Sequence, residues 1–235
     1  MKKYKLTEET IIVNGRTLYR IEALRDFANV KKGYKGGFIE KENNLSQSGD
    51  CWIYYRARVY GDAKVYDNAE VHGDAKVYDN AEVYGNAKVF DNAKVYDYAE
   101  VYDNAEVYDN AEVYDNAKVF ENAEVSFDAK VYDDAKVYEY AMVQGNAKVY
   151  GNAEIRTNAC IYGDAVIDSI GDYIVFKNFW SSGRSFTWTR SNDMWKVGCF
   201  YGTGEELIKK AYKESEISGR EYERIVKYVE TIKGK

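Results

Sequence analysis

One histidine, His72, stands in a chain of 235 residues. It is the one imidazole that could act as a general base near neutral pH. It falls at a place in a repeat otherwise held mostly by tyrosine, so its plainest reading is a solvated substitution, with a catalytic base as the runner-up. The thiols Cys51, Cys160 and Cys199 are odd in number, far apart and without a CxxC pair, which fits reduced thiols rather than a disulfide framework. Cys160 points outward by the register of the repeat, and Cys199 alternates with Trp195 and Val197 in an expected strand. Neither has a second histidine or a basic motif to make it a nucleophile. No phosphate loop or nucleophile elbow occurs. No catalytic residue other than the runner-up His72, no metal ligand and no cofactor is expected.

The elements around these residues are dominated by a six-residue period. Alanine recurs at every sixth position from Ala57 to Ala165, and two residues after each comes an aliphatic residue, from Val59 to Ile167. The unit Ala63-Lys64-Val65-Tyr66-Asp67-Asn68 is typical. Side chains alternate along an extended segment, so Ala and Val share one face while Lys/Glu and Tyr share the other. The Asp/Gly-Asn/Asp pair that follows is a turn former. A helix is excluded, because a period of six keeps no common face at 3.6 residues per turn. A core of only Ala and Val is narrow and suits three short sides, giving eighteen-residue coils, about six in number, in a rod about 30 Å long. Such coils need stacking, and their ends need caps.

Folding by eighteen sorts the outward rings into columns. One face stacks Tyr60, Tyr78, Tyr96, Tyr114, Tyr132 and Tyr150, and the second Tyr66, Tyr84, Tyr102, Phe120 and Tyr138. The third is broken: His72, Phe90, Tyr108, Ser126, Gln144, Tyr162. Stacked tyrosines stabilise strands, and long aromatic stripes also mark contact surfaces.

Charge is partitioned. Residues 1–56 carry 11 basic and 7 acidic side chains, residues 57–168 carry 10 and 23, and residues 169–235 carry 12 and 9, for nets of +4, -13 and +3. An acidic rod argues against direct nucleic-acid binding by that segment and allows a DNA mimic that occupies a nucleic-acid-binding protein. No apolar run is long enough to cross a bilayer and no signal segment opens the chain, so a cytoplasmic setting without membrane association is expected.

At the N-terminal end, Ile11 to Leu18 reads as a hairpin about Asn14-Gly15. The coil is expected to begin at Cys51-Trp52-Ile53, with an irregular turn at Leu45 and Gln47. After Asp168 the sequence predicts three strands, over 173–179, 185–190 and 194–200. Two helices follow, opened by capping boxes at Thr203/Glu206 and Ser218/Glu221. The expected division is 1–50, 51–168 and 169–235, the last a small β-β-β-α-α domain. Trp180, Trp188, Arg184 and Arg190 are its candidate partner-gripping residues.

The repeat, with segments such as Gly36-Gly37-Phe38-Ile39-Glu40 and Gly198-Cys199-Phe200-Tyr201-Gly202-Thr203, resembles phage- and prophage-associated hexapeptide-repeat proteins, often labelled acyltransferases. The resemblance implies a mainly β fold, a left-handed parallel β-helix, and a trimer as the favoured homo-oligomer, in the cytoplasm of a bacterial host. In enzymes of that kind a histidine base acts on acyl-CoA, which would make His72 and acetyl-CoA the pair to test. The carbonic anhydrases that share the fold need three zinc-binding histidines and are excluded. The leading expectation is a non-enzymatic scaffold that self-associates through the column Tyr60 to Tyr150 and binds a protein partner through its C-terminal domain. Acyl transfer and DNA mimicry are the alternatives.

Overall fold

A computed structural model describes residues 2–233. Twenty two-residue strands, β4 (Trp52–Ile53) to β23 (Val166–Ile167), wind into a parallel β-solenoid with three sides. Each strand pairs with the one eighteen residues on: Lys64 and Val65 lie against Glu82 and Val83, and these against Glu100 and Val101. The alanines from Ala57 to Ala165 and the aliphatic residues from Val59 to Ile167 are buried, nearly all completely. Two small or branched residues per side fill a narrow triangular core, and stacking completes the ladder hydrogen bonds that one coil lacks.

The corners explain the rest of the hexad. Its fifth residue is left-handed throughout, as in Asp67 (φ 57°), Asp103 (φ 58°) and Gly85 (φ 69°). Glycine adopts this conformation without penalty, and aspartate tolerates it better than most residues do. Aspartate also bonds across the coils: Asp109 Oδ2 accepts from the Phe127 N–H at 3.1 Å, and Asp133 Oδ2 from the Gly151 N–H at 3.1 Å. The sixth residue builds amide ladders, Asn68 to Asn86 and Asn86 to Asn104, each at 3.1 Å.

The solenoid starts earlier than its sequence predicts. β1 (Tyr4–Val13) and β2 (Arg16–Ala23) form the expected hairpin, with Asn14 and Gly15 both left-handed. β3 (Lys35–Ile39) then runs parallel to β5 (Arg58–Val59), and Leu45 bridges Val65. Residues 38–53 are therefore a complete turn, and the three sides reach eight, seven and seven levels, not six. Ile39 and Leu45 pair twenty residues ahead while Ile53 pairs eighteen ahead. Two extra residues thus lie between Leu45 and Cys51. They put Leu45, not Gln47, in the aliphatic place, and Gln47 Oε1 instead accepts from the Lys3 N–H at 2.7 Å.

The C-terminal domain holds a four-stranded antiparallel sheet, β24 (Tyr173–Lys177), β25 (Ser185–Thr189), β26 (Met194–Val197) and β27 (Phe200–Gly202), and two helices, α1 (Gly204–Glu214) and α2 (Glu216–Ile232). The single strand expected over 194–200 is split by a turn at Gly198 (φ 53°). The Thr203/Glu206 box opens α1 as expected, but α2 is capped by Ser215, whose hydroxyl accepts from the Ser218 N–H. Ser215 closes one helix and opens the next, leaving no room for a start at Ser218. No helix among the described residues is long and apolar enough to cross a membrane.

The caps match the polarity of the rod. Strand N–H groups donate toward the next turn, as Trp52 N–H does to the Ala69 carbonyl. The first turn therefore leaves carbonyls free and the last leaves N–H groups free. At the first end the donors are Lys3 Nζ to the Cys51 carbonyl (2.9 Å), Tyr4 Oη to Leu45 (2.7 Å) and Asn44 Nδ2 to Ala63 (2.9 Å). At the last end the acceptors are Thr187 Oγ1 for the Cys160 N–H (2.9 Å) and Ser191 Oγ for the Val166 N–H (2.7 Å). These bonds occupy backbone groups that the end turns would otherwise leave for an added strand.

Candidate functional site

Three features carry candidate chemistry: the tyrosine columns, His72, and the region where the C-terminal domain meets the broken third face. The columns follow the eighteen-residue register. Rings from Tyr78 through Tyr96, Tyr114 and Tyr132 to Tyr150 stack at 4.9–5.2 Å, within 8° of parallel. These five are half-buried. Tyr60 also stacks on Tyr78, at 5.0 Å, but it is only 4% exposed because Leu18 and Phe38 of the N-terminal cap close over it. On the second face Tyr66 and Tyr84 donate to Glu82 Oε2 and Glu100 Oε2 of the following turn, both at 2.9 Å.

The acidic excess of the rod is partly cancelled on its own surface. Lys64 pairs with Glu82 at 2.8 Å, Lys118 with Glu100 at 2.7 Å, and Glu112 lies between Lys94 (2.8 Å) and Lys130 (3.2 Å). The lysine hydrogen bond holds the Glu82 carboxyl below the usual carboxylate range.

His72 is half-buried on the third face. Its Nε2 lies 2.9 Å from Glu70 Oε2, and its ring stacks on Tyr54 at 4.1 Å. A carboxylate beside an imidazole orients the ring. His72 lies on the strand level of β7 (Glu70–Val71), far along the face from the C-terminal domain, which covers β22 (Cys160–Ile161).

Along the third face the repeat decays toward that domain. The outward strand position reads Glu70, Lys88, Glu106 and Glu124, and then Met142 and Cys160. The ring column gives way to Ser126 and Gln144. Cys160 points outward, as expected, yet it is only 8% exposed because β25 lies across it. Burial pushes its thiol up to about 11, so at neutral pH it is protonated and a poor nucleophile. The domain is seated further by Tyr201, whose ring meets Tyr162 edge-on at 4.9 Å. Its hydroxyl would lie 2.0 Å from a Cβ at Gly163, so the corner there must be glycine.

Between the face and the domain a cleft of about 580 Å³ remains. Met142, Gln144, Asn158 and Cys160 line it from the rod, and Lys177, Arg184 and Lys196 from the domain. Lys196 Nζ also sits 4.2 Å above the Tyr162 ring. Of the tryptophans and arginines expected to grip a partner, Arg184 enters this cleft and Arg190 is exposed elsewhere. Trp180 is half-buried against Phe186 and Tyr222. Trp188 is core, 1% exposed, with its indole N–H on Asp193 at 2.8 Å. Sequence reasoning missed Lys177 and Lys196. Their signal was indirect, in the loss of the repeat at Met142, Gln144 and Cys160 that makes room for them.

No protein-family model matches the chain. A stretch of 62 residues is 39% identical to a protein of Escherichia coli (strain K12) named as the uncharacterized acetyltransferase YdcK, covering 23% of this chain and 19% of that protein. The chain thus matches about a fifth of that relative's length. The solenoid and this short similarity fit hexapeptide-repeat proteins.

Proposed function

We propose that the protein is a self-associating structural scaffold, a rigid rod that carries its C-terminal domain to a partner. The observation that carries this reading is the unbroken ladder Tyr78–Tyr96–Tyr114–Tyr132–Tyr150. It is a flat, half-exposed aromatic stripe on a face without loop insertions, and such a stripe loses water-exposed apolar area when two copies meet. Sedimentation equilibrium tests it. The wild type should form a discrete oligomer, with a trimer favoured, and the double variant Tyr96→Glu/Tyr114→Glu should sediment as a monomer at unchanged secondary structure. A wild type that is monomeric at high protein concentration would end this reading.

A second reading, acyl transfer, is favoured by one contact, the 2.9 Å His72–Glu70 pair, together with the acetyltransferase name of the relative. In this reading His72 would draw a proton from an acceptor nucleophile as it attacks the thioester carbonyl of acetyl-CoA, and would return that proton to the coenzyme A thiolate released when the C–S bond breaks. Turnover of acetyl-CoA by the wild type, lost in His72→Ala, would replace the scaffold reading. DNA mimicry by the rod is the weaker proposal, since lysines such as Lys64 and Lys118 interrupt the negative surface it requires.

A further inference from the structure

The rod matches its lysines to carboxylates, six of them across adjacent turns: Lys64, Lys88, Lys94, Lys118, Lys130 and Lys136. The cleft under the C-terminal domain departs from this habit. Lys177, Arg184 and Lys196 converge on it from β24, the loop before β25, and β26, and no carboxylate lines it. Three like charges around one concavity repel one another, in a chain whose net charge is -6. The rod side has changed in the same sense. Where the repeat would place a lysine or glutamate there are Met142 and Cys160, and where it would place a tyrosine there is Gln144. A glutamate at 142 or 160 would cancel the positive charge, and a tyrosine at 144 would project into the space. Gly198 contributes too: a Cβ there would lie 3.2 Å from Arg184 Nη1, so the bare turn lets the guanidinium lie across it.

From this convergence we infer that the cleft is a binding site for a small phosphate or diphosphate ester. A guanidinium fork matches phosphate oxygens, and two ammonium groups add point charges beside it. Three cations suit an anion of two or more charges better than a single carboxylate. The volume of about 580 Å³ lies in the range of small-ligand sites. The amides of Gln144 and Asn158 and the apolar surface of Met142 are left for the organic part. The inference stands apart from the scaffold reading and needs neither self-association nor acyl transfer.

Titration calorimetry with inorganic pyrophosphate tests it on the full chain, with sulfate and citrate at equal ionic strength as comparisons. Pyrophosphate should bind with one site per chain and more tightly than either comparison. Arg184→Ala and Lys196→Ala should each weaken it roughly tenfold or more, while Lys148→Ala, on another face, should leave it unchanged. Gln144→Tyr restores the residue of the repeat and should abolish binding without lowering the melting temperature. Absence of pyrophosphate binding at millimolar concentration would overturn the inference. Equal binding of sulfate or citrate, or binding that survives Gln144→Tyr and both cation variants, would do the same.

Discussion

The hydroxyl oxygen of Thr187 accepts the backbone N–H of Cys160 at 2.9 Å, and both residues are buried. Without that contact the last turn of the third face would end in an N–H with neither a next coil nor water to take it. Thr187→Val keeps the shape and removes the acceptor. An orphaned buried donor costs about 1–3 kcal/mol, so the variant should lose stability of that order in urea. Its Cys160 amide should also exchange with solvent before those of the central turns. Exchange at Cys160 as slow as in the wild type would show that the domain seals the edge by other means.

The tyrosine columns set the response to alkali. Burial first, and then the hydrogen bonds to Glu82 and Glu100, raise the Tyr66 and Tyr84 phenols above their ordinary value. Burial also lifts Tyr78 and Tyr96, and pushes Tyr114 up to about 12. These are groups whose folded pKa lies above the unfolded value of 10.0. The stability they contribute is present below about pH 10 and is lost as pH climbs toward the folded values. Tyrosinate absorbance should therefore rise late and steeply, together with loss of β circular dichroism. Gradual ionisation near pH 10 with the solenoid intact would contradict the packing of the columns.

The solenoid was legible because each position of the hexad does one job many times over. Ala63 and Val65 fill the axis, Tyr66 faces out, Asp67 turns left-handed, and the eighteen-residue register follows. What the pattern hid came from residues used once. Tyr60 is spelled like its column mates, but Leu18 and Phe38 fold back onto it from a hairpin whose angle no local signal encodes. Trp188 shares its strand face with Phe186 and Arg190, which left its exposure open, and the helices cover that face. Ser218 and Glu221 spell a capping box, but Ser215 already serves as the cap shared by both helices. The cleft was half-visible, since Ser126, Met142, Gln144 and Cys160 interrupt the repeat where the domain docks and would pass for neutral substitutions in sequence alone.

Phe127 shows the repeat under strain. It holds the corner place where Asp or Gly is usual, with φ 60° and a side chain 49% exposed. A left-handed residue with a Cβ costs about 1–2 kcal/mol, and little burial offsets that here. Phe127→Gly should keep the bond from its N–H to Asp109 and stabilise the protein by about 0.5–1 kcal/mol, allowing for the extra freedom of glycine in the unfolded chain. The reverse change, Gly85→Ala, brings a Cβ to 2.7 Å from the backbone nitrogen of Asp103 and should destabilise. A pair of melting curves settles the sign. Destabilisation by Phe127→Gly would mean that the ring contributes more contact on this corner than its exposure indicates.

Lys3 is fully buried, and its ammonium donates to the carbonyls of Ser48 (3.2 Å), Gly49 (3.4 Å) and Cys51 (2.9 Å), with the Cys51 thiol at 3.1 Å. Burial lowers its pKa, so the site bears a desolvation cost that only its hydrogen bonds offset. The choice of lysine follows from the polarity of the rod: the first turn presents carbonyls, and an ammonium supplies three donors from one side chain. Lys3→Met would fill the same volume without a donor and leave the Cys51 carbonyl unpaired in the core. The expected loss is at least about 2 kcal/mol, measured by urea unfolding. Hydrogen exchange should accelerate first in residues 45–53 and leave the turns near Tyr114 protected, because each coil is held by its neighbours. A variant as stable as the wild type would show that Tyr4 and Asn44 suffice to cap this end.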